Sequence, residues 1–216
     1  MNSRERINAA LAHREGDRIP LDLGGCGQTG MHATTVYALR QALGLDAPGT
    51  PVKVIEPYQM LGEIGPDLQD RLEVDVVGLA TPGTLFGFNN EDWKPWTFWD
   101  GTPLLVPGKF NTEPDENGDI LMYVEGDKSA PPSAKMPVGG FYFDSLIRQE
   151  PIDDANLDPA DNASDYGPIS EADLAYLRVE SERLYNETDR ALMMVLGGAG
   201  FGDIALVPGP WVKHPK

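Results

Sequence analysis

Cysteine is almost missing from this chain. Only Cys26 occurs among 216 residues. No intrachain disulfide can form, and a metal site built on paired thiolates is excluded. Basic residues are also scarce: 17 lysines and arginines face 34 acids, for a net charge of −17. The imbalance is local. Residues 113–173 hold 15 acids and 3 bases, which puts −12 of the total in that stretch. Such a surface repels phosphate backbones, so nucleic acid is not an expected partner; its plain reading is a solvated acidic flank. Long apolar runs are lacking too. No segment reaches the ~20 residues of a membrane span, and the N-terminus has no apolar signal core. These absences point to a cytoplasmic location away from membranes.

What is present suffices for a core. Hydrophobic residues make up 41% of the chain, and its length suits one domain or slightly more. The pattern opens with a helix at 3–13, with Ser3 as N-cap and Ile7, Ala10 and Leu11 on one face. An apolar strand at 18–23 follows and ends in Gly24-Gly-Cys-Gly-Gln-Thr-Gly-Met-His32. Residues 34–43 read as a helix stopped by Gly44. Residues 52–56 read as a buried strand, 58–72 as a helix broken at Gly65-Pro66, and 74–79 as another buried strand. This alternation predicts a parallel sheet with right-handed crossovers.

The middle of the chain follows different rules. Asp100-Gly101 predicts a hairpin between 96–99 and 103–106, and Asp115-Glu-Asn-Gly118 a second one. Residues 126–140, rich in Pro, Gly and Ser, read as loop. Trp93, Trp96, Phe98 and Trp99 read as core of this region. Order returns at Ser170-Glu-Ala-Asp173, a capping-box-like start of a helix to about 188. A strand at 191–196 then runs into Gly197-Gly-Ala-Gly-Phe-Gly-Asp203.

The opening segment resembles the start of the uroporphyrinogen decarboxylase superfamily, most closely its corrinoid-linked methyltransferase branch. Three later stretches carry the resemblance: Pro51-Val-Lys-Val-Ile-Glu-Pro-Tyr-Gln59, Leu72-Glu-Val-Asp-Val-Val-Gly-Leu79 and Met136-Pro-Val-Gly-Gly-Phe-Tyr-Phe-Asp144. The resemblance implies a (β/α)8 barrel, of which residues 1–216 supply the N-terminal half, with an antiparallel hairpin excursion at about 90–145. About four parallel strands are legible where a barrel needs eight. The half-barrel expectation carries a consequence: an open edge through which the chain self-associates, or which a second chain completes, without which the chain is an inactive fragment.

A barrel places its ligand site at the C-terminal ends of its strands. That rule selects Cys26, Thr29 and His32 after the first strand, then Glu56, Tyr58 and Gln59, then Phe201 and Asp203, with Tyr142 and Asp144 reaching over from the excursion. Cys26 and His32 could share a metal, but two ligands in one loop are too few for a closed zinc site; a tight turn and a helix start are their plainer roles. Glu56 and Asp203 suit a role as acid, base or hydrogen-bond acceptor, or more plainly as the cap of a following helix or the partner of an arginine. The run Gly197–Gly202 lacks the lysine of a phosphate-binding loop and reads as close packing.

The resemblance implies a small-molecule substrate and one of two reactions. In methyl transfer, a methyl group passes between a corrinoid or methylated donor and a thiol or other acceptor, and zinc activates an acceptor thiol. The family's zinc ligands, a His-x-Cys pair and a later Cys, belong to the second half of the barrel, so no cofactor is expected within this chain; zinc and a corrinoid protein partner belong to the complete member. In the alternative, uroporphyrinogen decarboxylation in tetrapyrrole synthesis, an Arg-Gln-x-Gly-Arg stretch binds the substrate carboxylates. Here that place holds no arginine, and the family's Ser-Asp-Ile segment has no match near Val76–Thr81.

Overall fold

The computed structural model describes residues 1–148, 151, 153–156, 168–195 and 209–213. Helix α1 (Ser3–Leu11) begins at Asn2, whose side chain accepts the Glu5 amide while Glu5 reaches back to the Asn2 amide. The cap therefore lies one residue before Ser3. Helix α2 (Ala33–Ala42) is capped by His32 and ends at Gly44, whose φ of +67° is the left-handed turn that glycine tolerates best. Helix α3 (Pro66–Arg71) starts on Pro66, where a missing N–H costs nothing. Helix α4 (Glu171–Glu187) starts at Ser170, whose hydroxyl accepts the Asp173 amide.

Among the described residues, ten short strands form three sheets. The first has the order β2 (Leu61–Gly62), β1 (Val52–Glu56), β5 (Pro103–Val106), β4 (Lys94–Thr97). Only its β1–β5 step is parallel. The second pairs β3 (Val76–Gly78) with β10 (Ala191–Met193) in parallel, with Val77 opposite Leu192. The third is an antiparallel meander of β6 (Thr112–Pro114), β7 (Ile120–Met122), β8 (Ala134–Met136) and β9 (Asp144–Ser145). The first and third sheets, with α2 and α3, share one core that includes Val36, Val54, Leu68, Phe86, Phe98, Leu104, Phe110, Met136 and Phe143.

This arrangement overturns the (β/α)8 half-barrel. A barrel needs β1 and β3 in one parallel ladder. Instead β2 folds back antiparallel onto β1, and β3 belongs to a separate sheet. The segment 18–23 forms no strand either. Pro20 has no N–H to give a ladder. The Leu21 amide donates to the Asp75 side chain at 2.9 Å, and only the Leu21 carbonyl meets the Asp75 backbone, at 2.8 Å. Self-association through an open barrel edge loses its premise with the barrel. The region at 90–145 is no excursion: it supplies half of the first sheet and all of the third. Both hairpins turn where Asp100-Gly101 and Asn117-Gly118 stand, with Gly101 and Gly118 at φ +89° and +87°. The loop expected at 126–140 contains β8, and only Pro66–Arg71 of the helix expected at 58–72 is helical.

Candidate functional site

His32 gathers three distant segments. As N-cap of α2, its Nδ1 accepts the Thr34 amide at 3.3 Å and lies 2.9 Å from the Thr34 hydroxyl. Its Nε2 lies 2.8 Å from the Phe141 carbonyl. A carbonyl only accepts, so this geometry assigns the proton to Nε2 and the lone pair to Nδ1. Burial lowers the His32 pKa; the Phe141 carbonyl and the Asp100 charge oppose this less strongly. The imidazole packs edge-on against Phe98 at 5.2 Å and Phe141 at 5.4 Å. With both nitrogens engaged, no lone pair is left for a metal. His32 is a staple between α2, the β4–β5 turn and the loop before β9.

The same face carries exposed rings. Trp99 on the β4–β5 turn donates from Nε1 to the Gly140 carbonyl at 2.7 Å and meets Phe141 edge to face. Trp99, Phe141 and Tyr142 are all exposed, whereas Phe98 is buried and Trp96 is partly buried in the core. The aromatic group expected as core therefore divides, with Trp99 facing outward.

The turn after β1 bonds to the segment that enters β9. The Glu56 carboxylate accepts the Tyr58 amide at 3.0 Å and the Gln59 amide at 2.7 Å. Burial raises its pKa, and the two amides oppose the rise. Glu56 thus closes its own turn, and β2 rather than a helix follows it. Tyr58 accepts the Phe143 amide on its carbonyl, and its hydroxyl accepts the Ser145 amide at 3.3 Å. Gln59 is exposed. Met60, fully buried at φ +54°, closes the turn in a backbone region that a side chain adopts at a cost. Asp144 is exposed at the start of β9.

Cys26 and Thr29 lie in the glycine loop and close a single 3-10 turn. The Cys26 thiol is 3.7 Å from the Thr29 hydroxyl. The loop packs on β3, where a Cβ on Gly78 would lie 2.8 Å from the Gly25 carbonyl. Gly78 serves backbone-to-backbone packing, while a Cβ on Gly24, Gly25 or Gly30 would meet the side chains of Ile64, Asp22 and Val76, or Leu61. Phe201, Asp203 and the run Gly197–Gly202 lie outside the described residues. Among the described residues, no group of three histidines, cysteines or carboxylates is placed to hold a metal ion, and no helix is long and apolar enough to cross a membrane.

One charged cluster is absent from the sequence-based expectations. Asp75 is fully buried. It accepts from Arg6 Nη1 at 2.5 Å, Arg18 Nη1 at 2.7 Å and the Leu21 amide at 2.9 Å. Burial pushes its carboxyl up, but the Leu21 amide, the Ser3 hydroxyl and the two arginines outweigh burial and leave the pKa lowered. Arg6 also holds Asp17 at 2.6 Å. The cluster ties α1 to β3 with its charges matched. Its sequence signal is an aspartate inside the apolar run Val74–Val77. A separate cleft of about 500 Å³ lies between α4 and the β3–β10 sheet, lined by Leu79, Leu174, Leu177 and Met194. Its polar lining, Glu171, Arg178 and Ser181, all comes from α4.

Comparison of the chain with protein-family models, with curated proteins and with solved structures returns no match in any of the three.

Proposed function

We propose that this chain holds a small organic substrate on the face around His32, as part of a methyl-transfer system. The reaction class comes from the resemblance in the sequence. The place is supported by one observation: the α2 start, the β4–β5 turn and the loop before β9 are stapled together by His32 and Trp99, with aromatic rings left at the surface. Preorganised loops with a few fixed polar groups and exposed aromatic area are what a small ligand needs. His32 positions the loops. Trp99, Phe141 and Tyr142 offer contact area.

Methyl transfer leaves the bond electrons on the donor and forms a new bond to an acceptor thiolate. The described residues offer Cys26 as the one thiol, and it is occupied in a turn. The acceptor thiol, the activating zinc and the methyl-bearing corrinoid are therefore supplied from outside the described residues, and the test provides each of them as a free reagent. Decarboxylation is the weaker reading. Arg6, Arg18, Arg40 and Arg190 face carboxylates, Arg148 donates to the Val212 and Gly209 carbonyls, and the loops 96–103 and 137–144 beside His32 contain no arginine.

The test mixes the purified chain with methylcobalamin, zinc and a thiol, and measures thioether by mass spectrometry. The expected result is a rate above the protein-free control that falls in Trp99→Ala and Phe141→Ala. Conversion of uroporphyrinogen instead, or no thioether above the control, contradicts the proposal.

A further inference from the structure

The face around His32 has a charge character as well as a shape. Trp99 is 55% exposed, Phe141 46% and Tyr142 56%. The Trp99 and Phe141 rings meet at 5.2 Å and 69°, and the bond from Trp99 to Gly140 holds one loop on the other. The rings are thus fixed at the surface rather than free to fold inward. Two exposed carboxylates flank them in sequence. Asp100 follows Trp99 and lies close enough to His32 to act on its titration. Asp144 starts β9. Among the described residues neither has an ion-pair partner. Residues 96–103 and 137–144, which make the two loops, contain no lysine or arginine.

These features select a ligand by charge. An aromatic face carries negative quadrupole density and attracts a cation. An adjacent unpaired carboxylate adds direct attraction, and the net charge of −17 adds a long-range pull. An anion meets two carboxylates and no base on these loops. A neutral apolar molecule gains contact area alone. The neutral imidazole of His32 adds no competing positive charge.

We infer that this face binds a small organic cation of the alkylammonium or guanidinium class, with Trp99 and Phe141 against the cation and Asp100 as its counter-ion. The inference rests on reading this face as the ligand site; it does not rest on methyl transfer.

The experiment titrates the full chain with tetramethylammonium, guanidinium and neopentyl alcohol, a neutral molecule of similar size. Ionic strength is constant, and binding is read by ligand-observed NMR. The cations bind about fivefold or more tightly than the alcohol. Trp99→Ala and Asp100→Asn each weaken the cations about threefold or more with little effect on the alcohol. Asp100→Asn keeps an oxygen for the Thr102 amide, which Asp100 accepts at 2.8 Å. It therefore decides the matter if Trp99→Ala perturbs the loop. Equal binding of cation and alcohol overturns the inference, as does a cation affinity indifferent to Asp100→Asn. Cation binding without thioether formation removes the methyl-transfer reading alone. Thioether formation without cation binding removes this one alone.

Discussion

Replacing Asp75 with asparagine keeps the side chain's shape and removes a fully buried charge. Arg6 and Arg18 both lose their shared counter-ion. Removing one partner of a buried ion pair costs about 3–5 kcal/mol, because the remaining charge stays desolvated. Two features place Asp75→Asn at the lower end. Arg6 keeps Asp17 at 2.6 Å, and Arg18 is about one-third exposed and keeps the Glu73 carbonyl at 2.8 Å. A loss of about 3 kcal/mol is a large part of the roughly 5–15 kcal/mol that holds a domain folded. At about 2–4 °C per kcal/mol for a chain of this size, the melting temperature falls by roughly 6–12 °C. Circular dichroism melts near neutral pH read this directly. The pH dependence supplies a second check. The folded pKa of Asp75 is lowered, so its contribution is full above the unfolded value of about 3.9 and is lost as pH falls through the folded value. The gap between wild type and Asp75→Asn therefore narrows below about pH 4. A variant that melts within about 2 °C of wild type near neutral pH refutes the reasoning, and so does a gap that does not narrow in acid.

Three further outcomes are expected. Gly78→Ala destabilises the chain by about 1–3 kcal/mol, because the new Cβ meets the Gly25 and Gly24 carbonyls at 2.8 and 3.2 Å; Gly27→Ala, with nothing within 4 Å, melts like wild type. Zinc does not survive dialysis, and Cys26→Ala leaves metal content unchanged, because both His32 nitrogens and the Cys26 turn are already engaged; stoichiometric zinc lost in that variant reverses this. Uroporphyrinogen is not converted to coproporphyrinogen by the chain, since the loop after residue 23 offers its carboxylates no guanidinium; chromatographic detection of the product reverses that reading.

The locally coded features of the fold are legible in the sequence. Asp-Gly and Asn-Gly turns demand left-handed backbone, and both hairpins form there. The ends of α2 and α4 follow from Gly44 and Ser170. Pairing partners are not locally coded. The alternation of helix and strand patterns predicts a parallel barrel, but β1 is met on one edge by β2, which folds straight back on it, and on the other by β5, a partner far along the chain. Segment 18–23 has a strand's composition and no ladder, because Pro20 lacks a donor and a side chain takes the Leu21 amide. The three-residue strand β8 hides among prolines and serines. At the candidate site, His32 and Glu56 are legible as polar residues at element ends. Their roles as loop staple and turn closure depend on partners such as the Phe141 carbonyl, 109 positions away. The burial of Asp75 was signalled by its apolar neighbours, but its two arginines come from elsewhere in the chain.

The most direct measurement is an amide NMR titration of the labelled chain with a set of small methylated amines, thioethers and alcohols. Binding at the His32 face shifts resonances of Met31–Ala33, Phe98–Gly101 and Gly139–Tyr142 first, and Trp99→Ala abolishes those shifts. Shifts confined to the cleft at Leu79, Leu174 and Met194, or no shift at the His32 face with any member of the set, contradict the assignment of the ligand site.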